Sequence, residues 1–322
     1  MKKKKNNKTQ LQADSQVNLY GYGEHFNIFN KLYLKKKLPN TILLSGQKGI
    51  GKSVFINHFS NYILSMNDQN KYDLKNFKIN IDNKCYKMAK NNIHLNFYRV
   101  DNNLNDIGIE EIRNLIKFLN KSSDLDNLKI ILIDNIENLN KNSSNALLKV
   151  LEEPKINTYF FLIFDNKKKI LSTIKSRCSE FKISFSKEEK DKIFFNLLKE
   201  HYIEDIDDEV FNLLNFESPG NLINYIISLG DSYSDILKFE PDFIIKCIKK
   251  YEVENDINLF NTIFFMIQNF YYKICLNNIH NMNDYIYNYR KIIDQIYHLK
   301  KFNLSEKNVL KSITNNLYNE QR

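Results

Sequence analysis

Cysteine is scarce in this sequence of 322 residues. The four cysteines are far apart, and no two of them form a C-x-x-C pair: Cys85, Cys178, Cys247 and Cys275. Zinc modules and the disulfide frameworks of small secreted proteins need closely spaced cysteines. The spacing therefore predicts neither a zinc site nor disulfides, and it favours a reducing compartment, which we expect to be the cytoplasm.

Long apolar runs are also lacking. No run approaches the roughly 20 residues that a membrane-spanning helix needs. Met1 to Lys5 resemble the charged start of a signal peptide, but the polar stretch NNKTQLQADSQ follows where an apolar segment is required. We expect no signal peptide and no membrane partner.

The overall composition is typical of a packed globular protein, because 43% of the residues are hydrophobic and 13% are aromatic. A net charge of +9 favours an acidic partner such as nucleic acid. Lys, Asn and Ile, which A/T-only codons encode, are abundant along the whole chain. The charge therefore leaves two interpretations open, a DNA contact and compositional bias.

Short apolar segments alternate with helical patterns in the first half of the chain. Helices are predicted from Glu24 and over Ser53 to Ser65, Gly108 to Asn120 and Ser143 to Glu153, and the predicted strands are TILLSG, NFYRVD, LKIILID and TYFFLIFD. Nearly continuous apolar strands separated by helices indicate a parallel sheet covered on both faces. Beyond Ser186 the patterns are helical only.

The sequence thus predicts an α/β domain followed by all-α regions. The boundaries are a disordered basic tail at 1–17, the α/β domain at 18–186, a helical lid at 187–230 and a helical collar at 231–322. The aromatic stretch FFMIQNFYYKI in the last region is typical of a packed core rather than of a cofactor site.

The segment GQKGIGKS matches the phosphate-binding loop G-x-x-x-x-G-K-[ST] and lies between a predicted strand and a predicted helix. Gly46, Gly49 and Gly51 allow backbone N–H groups to turn toward phosphate oxygens. Lys52 is expected to reach the terminal phosphates, and Ser53 can ligate Mg²⁺. These residues predict a nucleotide site of the ATP type.

Asp134 ends the strand in ILIDNIENLN, at the position where ligands of open α/β sheets gather. An aspartate there is also common as a turn residue or helix cap, but beside the phosphate loop we interpret it as a Mg²⁺ ligand. Nucleotide hydrolases often carry a glutamate next, which activates water. Asn135 cannot accept a proton, so hydrolysis is expected to be weak or absent. Glu137 is an alternative base, although its position predicts that it points elsewhere.

Three stretches carry a resemblance to a known family: TILLSGQKGIGKS, ILIDNIENLNKNSSNALLKVLEEP and ILSTIKSRCSEF. They resemble bacterial clamp-loader ATPases of the AAA+ class, most closely the delta prime subunits of DNA polymerase III, over about Tyr20 to Phe185. The resemblance implies a pentameric ring that uses ATP and Mg²⁺ to open a sliding clamp and place it on primed DNA. The implied partners are other loader subunits, the clamp and primer-template DNA.

The resemblance also implies roles for residues outside the phosphate loop. Ser176, Arg177 and Cys178 match a Ser-Arg-Cys motif whose arginine reaches the nucleotide of a neighbouring subunit, and Lys149 and Glu152 match positions that face this neighbour. An arginine supplied in trans makes hydrolysis depend on assembly. Without the family, Arg177 is a surface arginine and Cys178 a small buried residue.

Two further departures from the family pattern accompany Asn135. Asn221, in SPGN, stands where active members carry an arginine that senses the γ-phosphate, and Met66 to Asn96 contain only Cys85 where many relatives have a zinc module. These departures favour a delta-prime-like assembly subunit of the nucleotidyltransferase holoenzyme, with weak ATPase activity of its own. The alternatives are an active motor subunit of the gamma or tau type and an autonomous P-loop hydrolase or kinase. Lysines at helix starts are candidate contacts for DNA phosphates.

Overall fold

The computed structural model of this chain describes residues 11–100, 106–121, 128–204, 206–302 and 306–319. These residues form two compact units. The first comprises residues 11–200 with 214–221, and the second comprises residues 201–213 with 222 onwards. The predicted lid, 187–230, is therefore divided between the two units. Within the described part of the chain, no helix is long and apolar enough to cross a membrane.

The first unit contains a sheet of five parallel strands in the order β2-β3-β4-β1-β5. The strands are β1 (Thr41–Gly46), β2 (Phe97–Val100), β3 (Lys129–Ile133), β4 (Thr158–Asp165) and β5 (Ser179–Lys182). The predicted parallel sheet and its first four strands are confirmed. The edge strand β5 was not predicted, because none of its residues SEFK is fully buried and they form no apolar run.

Seven helices of the described chain lie within this unit: α1 (Gly23–Leu34), α2 (Lys52–Leu64), α3 (Lys84–Lys90), α4 (Ile109–Leu119), α5 (Lys141–Glu152), α6 (Ser172–Lys175) and α7 (Lys187–Glu200). Side-chain caps fix where two of them begin. Asn140 accepts a hydrogen bond from the Ser143 N–H at the start of α5, and Asn83 accepts one from the Tyr86 N–H at the start of α3.

Strand β4 shows how both faces of the sheet are covered. Phe160 and Leu162 pack into a core that includes Leu115 of α4 and Leu147 of α5. The intervening Phe161 points to the other face, where its ring meets Phe29 of α1 and Phe59 of α2. Each such buried side chain stabilises the fold by about 1.5–3 kcal/mol. Because both faces of the sheet are covered, the sequences of its inner strands are nearly continuously apolar.

The segment before α1 corrects one prediction. The carbonyl oxygen of Ala13 accepts a hydrogen bond from Asn57, Asp14 forms an ion pair with Arg99 at 3.2 Å, and the Gln16 carbonyl oxygen lies 3.0 Å from the ring of His58. Residues 1–10 of the predicted tail lie outside the described residues. For residues 11–17, the prediction of disorder was wrong, because these contacts join distant parts of the chain and leave no local signature.

The second unit is helical, which confirms the all-α prediction. It contains α8 (Pro219–Leu229) from Leu222 onward, α9 (Pro241–Glu254), α10 (Ile257–Asn277), α11 (Met282–Phe302) and α12 (Glu306–Asn319). Helix α10 packs against α9 and α11, and α12 packs against the same two helices. The stretch FFMIQNFYYKI lies in α10, where Met266, Ile267 and Phe270 are buried as core residues.

Candidate nucleotide-binding site

The predicted phosphate loop joins β1 to α2. Gly49 and Gly51 have φ values of +83° and +92°, a left-handed conformation that glycine adopts at low cost. Gly51 is the N-cap residue of α2, so the first N–H groups of this helix are available to an anion. The buried Tyr22 hydroxyl donates a hydrogen bond to the Ile50 carbonyl oxygen at 3.1 Å and supports the loop from behind.

Lys52 lies almost completely buried in this loop. Its ammonium donates hydrogen bonds to the carbonyl oxygens of Gly46 at 2.7 Å and Gln47 at 2.8 Å. Burial lowers the pKa of Lys52 to about 8, although the nearby carboxylates of Asp134, Asp165 and Glu137 favour its charged form. The group therefore still carries a positive charge near neutral pH.

Ser53 and Asp134, the predicted metal ligands, come together at the carboxyl edge of the sheet. The Ser53 hydroxyl donates a hydrogen bond to one Asp134 oxygen, and the Asn135 N–H donates to the other at 2.8 Å. Mg²⁺ prefers hard oxygen ligands and is usually held by one or two protein groups together with phosphates and water. The pair fits this requirement. No cluster of three or more His, Cys, Asp or Glu side chains among the described residues could hold a metal ion.

Asn135 occupies a left-handed backbone position, with φ +53°, immediately after β3. Asparagine tolerates this conformation better than most residues do. Its side chain is uncharged and buried, so the position next to Asp134 supplies no general base.

Glu137 points toward the end of β4. One carboxylate oxygen accepts a hydrogen bond from the Asp165 N–H at 3.3 Å, and the other lies 3.5 Å from the Lys168 ammonium. The side chain is only 1% exposed. Glu137 is thus engaged by a cation and a backbone group and has little access to water. Asp165 was not predicted as a site residue from the sequence, although it ends an apolar strand as Asp134 does and lies near Lys52.

Asn221, which replaces the expected lid arginine, lies beside the phosphate loop. A Cβ atom placed on Gly49 would lie 2.4 Å from the Asn221 Oδ1 atom. The Asn221 amide donates a hydrogen bond to Glu217 at 2.9 Å. Its side chain is uncharged and offers no positive charge to a phosphate at this loop.

Arg177 lies at the opposite edge of the sheet. It precedes β5, which runs parallel to β1 with Ile42 opposite Ser179 and Ser45 opposite Lys182. The phosphate loop follows the carboxyl end of β1, whereas Arg177 stands before the amino end of β5. From Ile42 to Ser45, the paired part of β1 alone spans roughly 10 Å along the strand, at about 3.3 Å per residue. Arg177 is therefore separated from Lys52, Ser53 and Asp134 of its own chain.

The other residues of the predicted interface accompany Arg177. Its guanidinium contacts Glu152 at the end of α5, and Lys149 is exposed one turn earlier on the same helix. The Ser176 hydroxyl and the Cys178 thiol bond to backbone carbonyl oxygens of α6, each at 3.1 Å. Burial raises the pKa of Cys178 to about 11, so this thiol is structural rather than reactive.

A phosphate loop after the inner strand β1, between β4 and β5 of this parallel sheet, with a strand-end aspartate beside it, defines a P-loop nucleotide-binding domain of the AAA+ class. The sequence matches the family described as "DNA polymerase III, delta subunit" over residues 22–187, just over half of the chain. The chain belongs to this family.

Two relatives illustrate the similarity. "DNA polymerase III subunit delta'" of Buchnera aphidicola subsp. Schizaphis graminum is 32% identical over 65% of this chain and 62% of that protein. The protein of the same name from Buchnera aphidicola subsp. Baizongia pistaciae is 27% identical over 87% of this chain and 75% of that protein. The chain thus spans less than two thirds of the first relative.

A gamma subunit of the same polymerase and a solved structure are more distant. "DNA polymerase III subunit gamma" of Buchnera aphidicola subsp. Schizaphis graminum is 28% identical over 58% of this chain and 49% of that protein. The crystal structure of a gamma subunit-related protein from Thermotoga maritima aligns with a TM-score of 0.48 and 18% identity over 91% of this chain and 99% of that one.

Proposed function

We propose that this chain is a delta-prime-like subunit of a clamp loader and takes part in the ATP-dependent loading of a sliding clamp onto primed DNA. Family membership supports this role. The observation that carries it is the position of Arg177, which is exposed at the sheet edge opposite the phosphate loop of its own chain. A guanidinium in this position does not reach phosphates at the loop of its own chain, which supports a contact with the phosphates of another molecule.

The nucleotide site of the chain is proposed to bind ATP with Mg²⁺. The phosphate loop and Lys52 contact the phosphates, and Ser53 with Asp134 would hold the metal ion, which neutralises phosphate charge when bound. Asn135 cannot accept a proton from water, and Glu137 is held by Lys168. Hydrolysis at this site is therefore slow.

Arg177 is proposed to act in trans as an arginine finger. Lys149, Glu152, Ser176 and Cys178 lie at the same edge and form the proposed contact with the neighbouring subunit. The helices α9 to α12 supply a second contact between subunits. Large apolar side chains that are exposed where α10 meets α11 support this role: Leu276, Ile279 and Met282. DNA binding within the assembly would depend on phosphate contacts and on salt.

A second candidate function is that of an active motor subunit. The intact phosphate loop and the Ser53–Asp134 pair favour it, because a motor subunit also needs a phosphate-binding part and a metal-binding part. Asn135 and Asn221 oppose it, since neither supplies the charge or the base that hydrolysis uses.

The proposal is tested by ATP binding and turnover, measured by calorimetry and phosphate release. The purified chain alone is expected to bind ATP with negligible turnover, and the mixture with the other loader subunits is expected to turn over ATP. Lys52→Ala serves as the control for the nucleotide site. Vigorous turnover by the isolated chain would support an autonomous enzyme instead.

A further inference from the structure

Lys190, in the first turn of α7, connects the phosphate loop to a segment that follows much later in the chain. Its ammonium nitrogen lies 3.4 Å from the side-chain oxygen of Gln47, the second residue of the phosphate loop. It also donates hydrogen bonds to the carbonyl oxygens of Leu214 at 3.0 Å and Glu217 at 3.2 Å. Three acceptors match the three N–H donors of an ammonium group.

The same segment touches the phosphate loop directly. The Gln47 amide donates a hydrogen bond to the Phe216 carbonyl oxygen at 3.2 Å, and the Gly220 N–H donates to the Gly49 carbonyl oxygen at 3.0 Å. A Cβ atom on Gly220 would lie 2.5 Å from that carbonyl oxygen. The two backbones therefore meet at a distance that only glycine allows. We call residues 214–221 the loop clip.

The loop clip is internally fixed. The Glu217 carboxylate accepts hydrogen bonds from the Ser218 N–H at 2.8 Å and from the Asn221 amide at 2.9 Å. Ser218, fully buried, accepts a hydrogen bond from the Asn221 N–H at 3.4 Å, as an N-cap residue does in front of a helix that starts with proline. A rigid segment of this kind can hold a neighbouring loop in one conformation.

We propose that Lys190 is a positioning residue for nucleotide binding, which acts through Gln47 and the loop clip to hold the phosphate loop in its binding conformation. The backbone N–H groups that receive phosphates belong to this loop. A loop that is already ordered loses less conformational entropy when a nucleotide binds. The inference rests on the proposed nucleotide binding. Asn221, which offers no charge to a phosphate, then contributes to the loop clip through its hydrogen bond to Glu217.

The environment of Lys190 agrees with a positioning role. Partial burial lowers the pKa of its ammonium, and the Glu217 carboxylate favours the charged form. A partly desolvated cation that is engaged by carbonyl oxygens is held in a narrow range of positions. Lys192, two residues further along α7, is exposed and offers a matched control.

The test is the binding of a fluorescent ATP analogue with Mg²⁺ to the full chain, followed by stopped-flow kinetics. Lys190→Ala is expected to raise the dissociation constant about tenfold, the loss that one charge-assisted hydrogen bond produces. A loop that is in its binding conformation for only part of the time lowers the apparent affinity by that fraction, through the association rate, the dissociation rate or both. Lys190→Arg, which keeps N–H donors, should restore most of the affinity, and Lys192→Ala should behave as the parent chain does.

A second variant removes the same contact from the side of the phosphate loop, so that the result does not depend on the folding of Lys190→Ala alone. Gln47→Ala removes both side-chain contacts of Gln47 and should also raise the dissociation constant, while circular dichroism reports whether each variant is folded. An unchanged dissociation constant in folded Lys190→Ala would overturn the inference. So would tighter binding, since the clip would then obstruct the site. If Lys52→Ala binds as tightly as the parent chain, the proposed nucleotide site itself fails, and the inference falls with it.

Discussion

The guanidinium of Arg177 donates a hydrogen bond to the Glu152 carboxylate at 2.6 Å. A second bond, to the Thr173 carbonyl oxygen at 2.9 Å, joins the same guanidinium to α6. The two contacts fix the arginine between α5 and α6 at the edge of the sheet. A guanidinium has five N–H donors, so donors remain for a phosphate of a neighbouring molecule.

The first prediction concerns Glu152→Gln, which removes the charge and keeps the size of the side chain. ATP turnover by the assembled loader should fall severalfold, because Arg177 is then less well oriented. The free energy of unfolding should change by less than about 1 kcal/mol, since the ion pair is partly exposed. The matched control is Glu110→Gln, which removes the exposed partner of Arg113.

A double variant separates orientation from other roles of Glu152. In a chain that already carries Arg177→Ala, Glu152→Gln should have no further effect on turnover. A full additional loss in this background would mean that Glu152 acts independently of the arginine.

The second prediction concerns pH. Phosphates favour the charged form of Lys52, whose pKa in the folded chain is about 8. Below this value the ammonium is already protonated, and above it binding must take up a proton. Nucleotide affinity should therefore be nearly constant from pH 7 to 8 and fall about tenfold per pH unit beyond it. Calorimetry across this range measures the effect.

Lys52→Arg is the control for this pH dependence, because a guanidinium stays charged throughout the range. Its affinity should be lower at pH 7 but should not fall between pH 8 and 9. A parent chain with equal affinity at pH 7 and pH 9 would show that Lys52 does not titrate in this range.

The third prediction concerns Gly49→Ala. The left-handed backbone costs alanine about 1–2 kcal/mol, and the new methyl group would lie 2.2 Å from the Ser218 Oγ atom. Both the free energy of unfolding and the nucleotide affinity should fall. Gly108→Ala provides the comparison, since its methyl group would meet only the flexible end of Glu111. Equal stability of the two variants in urea unfolding would contradict the packing of the loop clip on Gly49.

The fourth prediction concerns acid stability. Burial lowers the pKa of His58 to about 4, and the ring lies 3.0 Å from both the Tyr72 hydroxyl and the Gln16 carbonyl oxygen. In the unfolded chain a histidine has a pKa of about 6.5. Between these values the unfolded state binds the proton and the folded state does not. The free energy of unfolding should thus fall as pH drops from about 6.5 to 4, by up to about 3 kcal/mol.

Urea unfolding at pH 7 and pH 5 measures this slope. His58→Gln should lower the stability at pH 7 but reduce the difference between the two pH values. His280→Gln, at an exposed position, should leave the difference unchanged. If the slope persists in His58→Gln, other groups cause the acid sensitivity.

The elements that were predicted from the sequence carry strong local signals. The segment TILLSG forms β1, and the helix predicted from Ser53 to Ser65 is observed as Lys52–Leu64. Buried apolar strands and a loop motif of fixed spacing are visible in any window that contains them. Ser53 and Asp134 lie together because the phosphate loop and Asp134 both follow parallel strands, which end at the same edge of the sheet.

The features that were missed depend on contacts between distant residues. The loop clip brings residues 214–221 onto the phosphate loop, and three donors from Gln16, Asn18 and Tyr20 converge on the Glu200 carboxylate. Apart from Asn221 in SPGN, none of these residues belongs to a pattern that a single sequence reveals. Their polar side chains are typical of loops, and only the folded chain shows which partners they meet.

The most direct test of the proposed function is Arg177→Ala in the assembled loader, with ATP turnover and clamp loading measured beside nucleotide binding by the isolated chain. An arginine finger contributes about 10³–10⁵ to kcat at the site that it serves. Loading should therefore fall sharply while binding by the isolated chain stays unchanged, and Arg113→Ala, another exposed arginine, should have no effect. Unaltered loading by the Arg177→Ala assembly would contradict the account.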